Sequence, residues 1–331
     1  MKRILFYSSV NSLELFKTQK FYQIDISILK DLGYDVLLSN RIFDSLLFWK
    51  YDILFSYFYR YSFFAALLAK CFGKKTYFTG GIDSLDSDYA SAFNYKIQAL
   101  FFKLCYWVAD SCIIVSQSDL KNIFKVSSLK KKLSYSEHVI NTKLFIADVP
   151  KEKIFTSIVW MGDEGNVVRK GVDKALQIFA ELKKIPEFVD YRFVIIGRKG
   201  EGEVLVRSII DKYNLKGSVE LKGEVSEEDK INLLKQSKYY FQLSLYEGFG
   251  LAALEALCAN NIIIHSGKGG LANPIYKEQL LFDIDNDFDS ELLKLVNKLA
   301  CFTPITSYDN LLEYYDIQRR KDDFEAIIVN G

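Results

Sequence analysis

Residues 239–257 read Tyr239-Tyr240-Phe241-Gln242-Leu243-Ser244-Leu245-Tyr246-Glu247-Gly248-Phe249-Gly250-Leu251-Ala252-Ala253-Leu254-Glu255-Ala256-Leu257. The run at 239–243 has the length and aromatic content of a short buried strand, and the run from Leu251 is apolar and helix-like. Residues 247–250 are then a strand-to-helix turn, with Glu247 in the loop and Glu255 about one turn into the helix.

Gly248 and Gly250 permit backbone conformations and close approaches denied to residues with a Cβ, so the amides of Phe249, Gly250 and Leu251 can face an anion at the helix N-terminus. A phosphate suits that position. Carboxylates beside a diphosphate would repel it unless they accept hydrogen bonds from hydroxyls, one set on a ribose and one on a sugar. A nucleotide sugar offers both. Glu255 is also surrounded by apolar residues, and a carboxylate in such company needs partners.

Working outward, residues 158–161, 193–196, 219–221 and 262–265 read as further strands, with helical runs at 172–184, 204–213 and 227–236 between them. Toward the N-terminus, 4–7, 36–38, 53–57, 76–79 and 112–115 read as strands, with 63–71 and 92–108 helical. Strands alternating with helices give an α/β class with parallel, doubly wound sheets. The chain of 331 residues accommodates two such domains, 1–150 and 151–331, divided where 141–153 loses its periodic pattern. Two open sheets facing each other would form a cleft at the carboxyl ends of their strands.

The Glu247/Glu255 spacing resembles the E-x7-E signature of retaining GT-B glycosyltransferases, in particular family 4, the glycosyl transferases group 1 type. Arg169-Lys170-Gly171-Val172-Asp173 resembles that family's Lys-Gly-x-Asp segment, and Gly223-Glu224-Val225-Ser226-Glu227-Glu228-Asp229 its Gly-x-Val-Ser-x-x-x-Leu segment. The similarity runs from about 158 to 282 and is thin elsewhere. The resemblance implies a GT-B fold of two Rossmann-like domains, an N-terminal one for the acceptor, a C-terminal one for the donor, and a C-terminal helix, 308–329, crossing back to the first. It implies transfer, with retained anomeric configuration, from a UDP-, GDP- or other nucleoside diphosphate sugar to a hydroxyl of a glycan or lipid-linked acceptor, in surface polysaccharide or lipopolysaccharide assembly. Glu247 and Lys170 would be catalytic, and Glu255 would take the ribose. Gly248, Phe249, Gly250, Leu251, Arg169, Gly197 and Arg198 would complete the donor site, with Gly80, Gly81 and Asp83 on the acceptor side.

Two departures stand against the pattern. The family usually places an arginine after the glycine that ends the preceding strand; here Asp163 follows Gly162. Neither His138 nor His265 matches the family's N-domain histidine. A non-catalytic partner in a glycan-assembly complex is the alternative these suggest, and an epimerase or phosphorylase of the same fold is another.

Asp86-Ser87-Asp88 and the acidic run 283–289 look like metal loops, but the second has Phe288 where a calcium loop needs glycine. Both read as solvated loops, so no metal or other cofactor is expected. The five cysteines form no Cys-x-x-Cys pair and suit a reducing compartment. Asn11, Glu14 and Lys17 interrupt any leader core, and no uncharged run reaches membrane-spanning length, so the expected location is cytoplasmic, at the inner face of the membrane. Residues 1–150 carry 19 basic and 13 acidic side chains, against 24 and 29 in 151–331. Fourteen aromatics crowd 43–78. Beside Lys50, Arg60, Lys70, Lys74 and Lys75, with Lys130, Lys131 and Lys132 later, they suit contact with an anionic bilayer as well as a core. No nucleic-acid partner is expected.

Overall fold

The computed structural model describes residues 1–146, 149–302 and 309–330. It divides into two compact units, Met1–Ile140 with Tyr314–Gly331, and Asn141–Glu313. The sequence places the boundary at 150; in the structure the division falls at Ile140. Phe145, 2 % exposed, and Lys151, whose ammonium donates to the carbonyls of Lys235 and Ala259, tie the intervening segment to the second unit.

The first unit holds a six-stranded sheet of β1 (Arg3–Ser8), β2 (Asp35–Ser39), β3 (Ile53–Tyr57), β4 (Lys75–Thr79), β5 (Ser111–Ile114) and β6 (Leu133–Tyr135), in the order β2-β1-β3-β4-β5-β6. Every pairing is parallel. Parallel sheets are covered on both faces, so their strands are apolar throughout. In β1, Ile4 and Phe6 enter one core with Tyr22, Phe55 and Phe324, while Leu5 and Tyr7 enter the other with Ala66, Phe78 and Phe102. Of the aromatic-rich stretch, Tyr51, Phe55, Tyr57, Tyr59, Phe63, Tyr77 and Phe78 are buried, whereas Phe43, Phe48, Trp49, Tyr61, Phe64 and Phe72 are exposed.

The tail expected to start at Tyr308 begins outside the described residues; helices follow at Asp309–Tyr314 and Ile317–Phe324. The second of these belongs to the first unit. Arg320, fully buried, grips Asp25 with Nε 2.7 Å from Oδ1 and Nη2 2.8 Å from Oδ2. It also donates to the carbonyls of Ser136 and Glu137.

The second unit holds β7 (Glu152–Ile158), β8 (Arg192–Ile196), β9 (Val219–Gly223), β10 (Ser237–Gln242), β11 (Ile262–His265) and β12 (Leu280–Leu281), in the order β12-β11-β10-β7-β8-β9, again all parallel. The strand expected at 158–161 is β7, earlier by several residues. Its buried Thr156 and Ser157 break the apolar pattern, and their hydroxyls are satisfied by Ser237 and the Phe241 carbonyl. Trp160, which looked like strand core, is 56 % exposed. From β7 the chain winds outward through β8 and β9, whereas β10 lies on the other side of β7. The loops leaving β7 and β10 therefore part, and the crevice between them is where ligands settle in such sheets. No helix among the described residues is long and apolar enough to cross a membrane.

Candidate active site

The loop after β10 is built by close backbone approaches that only glycine allows. Gly171, at φ +68°, opens helix Val172–Leu182, and a Cβ there would lie 2.0 Å from the Leu243 carbonyl oxygen. Gly269, at φ +58°, would put one 2.2 Å from the Glu247 carbonyl oxygen. Leu245 N donates to the Arg169 carbonyl at 2.8 Å, and Gly270 N to that of Glu247 at 2.6 Å. These contacts join the segment leaving β7, the segment leaving β10 and the turn after β11 into one wall.

In that wall Glu247 Oε1 accepts from Lys170 Nζ at 2.5 Å, Gln242 Nε2 at 2.8 Å and Ser244 Oγ at 2.8 Å. The two charged side chains are 22 % and 12 % exposed, so the pair is shielded yet open to a ligand. Gln242 is oriented by Tyr240, whose hydroxyl donates to Gln242 Oε1 at 3.1 Å. Burial pushes the Tyr240 phenol well up, so it remains a donor. A carboxylate oxygen that accepts from three donors, the Lys170 ammonium among them, is held in a fixed orientation.

Gly250, at φ +88°, opens helix Leu251–Cys258, which carries Glu255 toward helix Glu227–Gln236. There Lys230 Nζ reaches Glu255 Oε1 at 2.8 Å and Oε2 at 2.7 Å, and Glu227 Oε1 at 3.1 Å. Glu255 is 6 % exposed; the lysine offsets the desolvation of its carboxylate. Arg169 is folded onto Asn166, with Nη2 2.7 Å from Oδ1. Arg198 is exposed on the turn after β8. Gly197, at φ +133°, lets that turn pass the Val159 carbonyl, which a Cβ would meet at 2.0 Å. Asp163, standing where the resembled family has arginine, caps helix Glu164–Arg169 through Asn166 N at 2.6 Å.

Lys170, Arg169, Glu247 to Leu251, Glu255, Gly197 and Arg198 thus all belong to segments of the second unit that leave or follow carboxyl ends of its strands. Gly80, Gly81 and Asp83 belong to the first unit, after β4. Gly81 and Asp83 lie near Asp119, fully buried, which accepts from Ile82 N at 3.3 Å and whose Oδ2 has no hydrogen-bond partner among the described residues. Burial, then the Asp83 charge, pushes the Asp119 carboxyl up to about 8.

Sequence reasoning passed over Gln242, Ser244, Asp119 and Lys230. For Lys230 a signal was present: it stands where the resembled Gly-x-Val-Ser-x-x-x-Leu segment ends in leucine. Among the described residues no group of three or more His, Cys, Asp or Glu side chains could hold a metal ion. Asp287 instead caps helix Phe288–Cys301, and Asp285 pairs with Lys268. The cysteines whose side chains are described, Cys71, Cys105, Cys112 and Cys258, are free.

Comparison with known proteins points to the same unit. Residues 165–299 match the family described as Glycosyl transferases group 1. GDP-mannose:cellobiosyl-diphosphopolyprenol alpha-mannosyltransferase of Xanthomonas oryzae is 32 % identical over 163 residues, 43 % of this chain and 40 % of that protein. A human phosphatidylinositol N-acetylglucosaminyltransferase subunit is 30 % identical over 105 residues, 32 % of this chain and 21 % of that protein. The matches to these two curated relatives thus span less than half of their length. Among solved structures, Anabaena HepE in complex with UDP-glucose superposes with a TM-score of 0.73 at 12 % identity, covering 100 % of both chains. Sucrose-phosphate synthase from Thermosynechococcus elongatus does so with a TM-score of 0.67 at 16 % identity, covering 100 % of this chain and 97 % of that one. At such identities the likeness is one of fold. The chain has the two-domain, Rossmann-like GT-B fold, and its 165–299 segment is similar to the glycosyl transferases group 1 family.

Proposed function

We propose that the protein is a retaining glycosyltransferase that moves a sugar from a nucleoside diphosphate donor to an acceptor hydroxyl. The observation that carries this is the Lys170–Glu247 pair set on the switch-point wall of a unit matching the group 1 family. Lys170 takes charge developing on the leaving diphosphate, and the Gly250 and Leu251 amides take the remainder, without a metal ion. Glu247, its Oε1 fixed by three donors, aligns the donor sugar through its remaining acceptor capacity rather than attacking it. Glu255 binds the ribose. Arg169, Arg198, Gly197, Gly248 and Phe249 border the donor, while Gly80, Gly81 and Asp83 serve the acceptor. With retention, the acceptor oxygen bonds the anomeric carbon on the face from which the diphosphate oxygen departs. The acceptor's proton passes to that diphosphate, so no covalent enzyme intermediate forms.

A lipid-linked acceptor is favoured by two relatives whose names carry a diphosphopolyprenol and a phosphatidylinositol acceptor. Asp163 favours a second reading, a non-catalytic partner that binds donor without turning it over. The test is calorimetric titration of a panel of nucleoside diphosphates and their sugars into wild type and Glu255→Gln. One nucleotide bound by wild type and lost in the variant supports the donor site and names the base. Binding of none sinks the assignment, and binding without transfer to any lipid-linked acceptor favours the second reading.

A further inference from the structure

Helix Ala92–Val108 of the first unit turns Gln98, Phe102, Cys105, Tyr106 and Val108 inward. Its other face is not polar. Phe93, Leu100 and Trp107 are 73 %, 57 % and 68 % exposed and stand seven residues apart, which keeps them on one side of a helix. Over fourteen residues the stripe is about 21 Å long. Lys96 and Lys103, both exposed, fall between them at helical spacing, and the helix contains no acidic residue.

The charge around the stripe has the same sign. Lys132 Nζ donates to the Trp107 carbonyl at 3.0 Å, which brings the basic 120–132 segment, with five lysines and no carboxylate, against the end of the stripe. Lys130 Nζ lies 4.8 Å over the ring of Phe124, itself 44 % exposed. Of the flanking carboxylates, Asp88 precedes the cap Ser91, and Asp110 is bonded to Lys70. Large apolar side chains interleaved with lysines and free of carboxylates are complementary to acyl chains beneath anionic headgroups; the lysine stems keep their charge at the phosphates while the rings enter the boundary.

We propose that helix Ala92–Val108 lies flat on an anionic lipid bilayer, with Phe93, Leu100 and Trp107 entering the headgroup region and Lys96 and Lys103 on the phosphates. The inference stands apart from the donor site and deepens the acceptor reading, since a surface-bound enzyme meets a lipid-linked acceptor in its own plane.

The test is co-sedimentation of the full chain, without nucleotide, on vesicles of phosphatidylcholine alone and of phosphatidylcholine mixed equally with phosphatidylglycerol. Binding only to the mixed vesicles is expected. Replacing both lysines (Lys96→Gln with Lys103→Gln) weakens it about thirtyfold, and Leu100→Ser with Trp107→Ser abolishes it. Both variants keep wild-type circular dichroism and nucleotide binding. No sedimentation of wild type, or equal sedimentation of the variants, overturns the proposal. So does a self-association that Leu100→Ser with Trp107→Ser removes, which assigns the face to a second copy. A chain that binds vesicles but no nucleotide keeps this inference and loses the donor reading.

Discussion

Lys230 Nζ stands 2.8 and 2.7 Å from the two carboxylate oxygens of Glu255. The glutamate proposed for the ribose is therefore engaged before a ligand arrives, and a diol must share its oxygens with that ammonium. Lys230→Met leaves a nearly buried carboxylate without its cation and is expected to lower stability by about 3 kcal/mol. Adding Glu255→Gln should return most of that loss. Urea unfolding of the four proteins of this double-mutant cycle measures the coupling, and additive effects would show that the pair contributes nothing.

Lys170→Met removes the cation proposed to meet the leaving group. Its effect should fall on the chemical step, lowering kcat by about 10²- to 10³-fold with a smaller change in KM. Steady-state kinetics with the donor identified by calorimetry make the comparison; a change confined to KM would reduce Lys170 to a binding group.

Asp119 is protonated in the folded state up to about pH 8, whereas an unfolded aspartate loses its proton near 3.9. The folded form thus binds the extra proton between those values, so this group's contribution is fully present at the acid end and falls away as pH rises through about 8. Asp119→Asn, which holds a neutral side chain at every pH, should gain on wild type as pH increases from 5 to 8. Unfolding at both pH values tests it, and a constant difference would place the ionised form inside the fold.

Gly171→Ala meets both a left-handed backbone and the Leu243 carbonyl. The cost should exceed about 2 kcal/mol and displace the adjacent Lys170, so stability and nucleotide affinity fall together. Gly217, also at positive φ but with open space around its Cβ position, is the control: Gly217→Ala carries the backbone strain alone.

Much of the fold is legible in the sequence because apolar strands alternate with helices, and the turn at 247–250 is marked by its glycines. The start of β7 is not, because Thr156 and Ser157 satisfy their hydroxyls through chain neighbours remote in sequence. The same holds for the Lys230 contact, where a lysine on one amphipathic helix meets a glutamate on the next. Helix Ala92–Val108 is legible as a helix, but its aromatics lie on both sides of it, and only the packing shows that Phe102 and Tyr106 are buried while Phe93 and Trp107 are exposed.

Asp25 and Arg320 lie 295 positions apart, and the second unit is synthesised entirely between them. At about 5–20 residues per second, a nascent chain carries Asp25 for roughly 15–60 s before its guanidinium exists. Over that interval the first sheet carries Asp25 without the guanidinium that holds both of its oxygens in the folded chain. Translation order therefore completes the second unit's stretch of chain before the Asp25–Arg320 pair of the first can form.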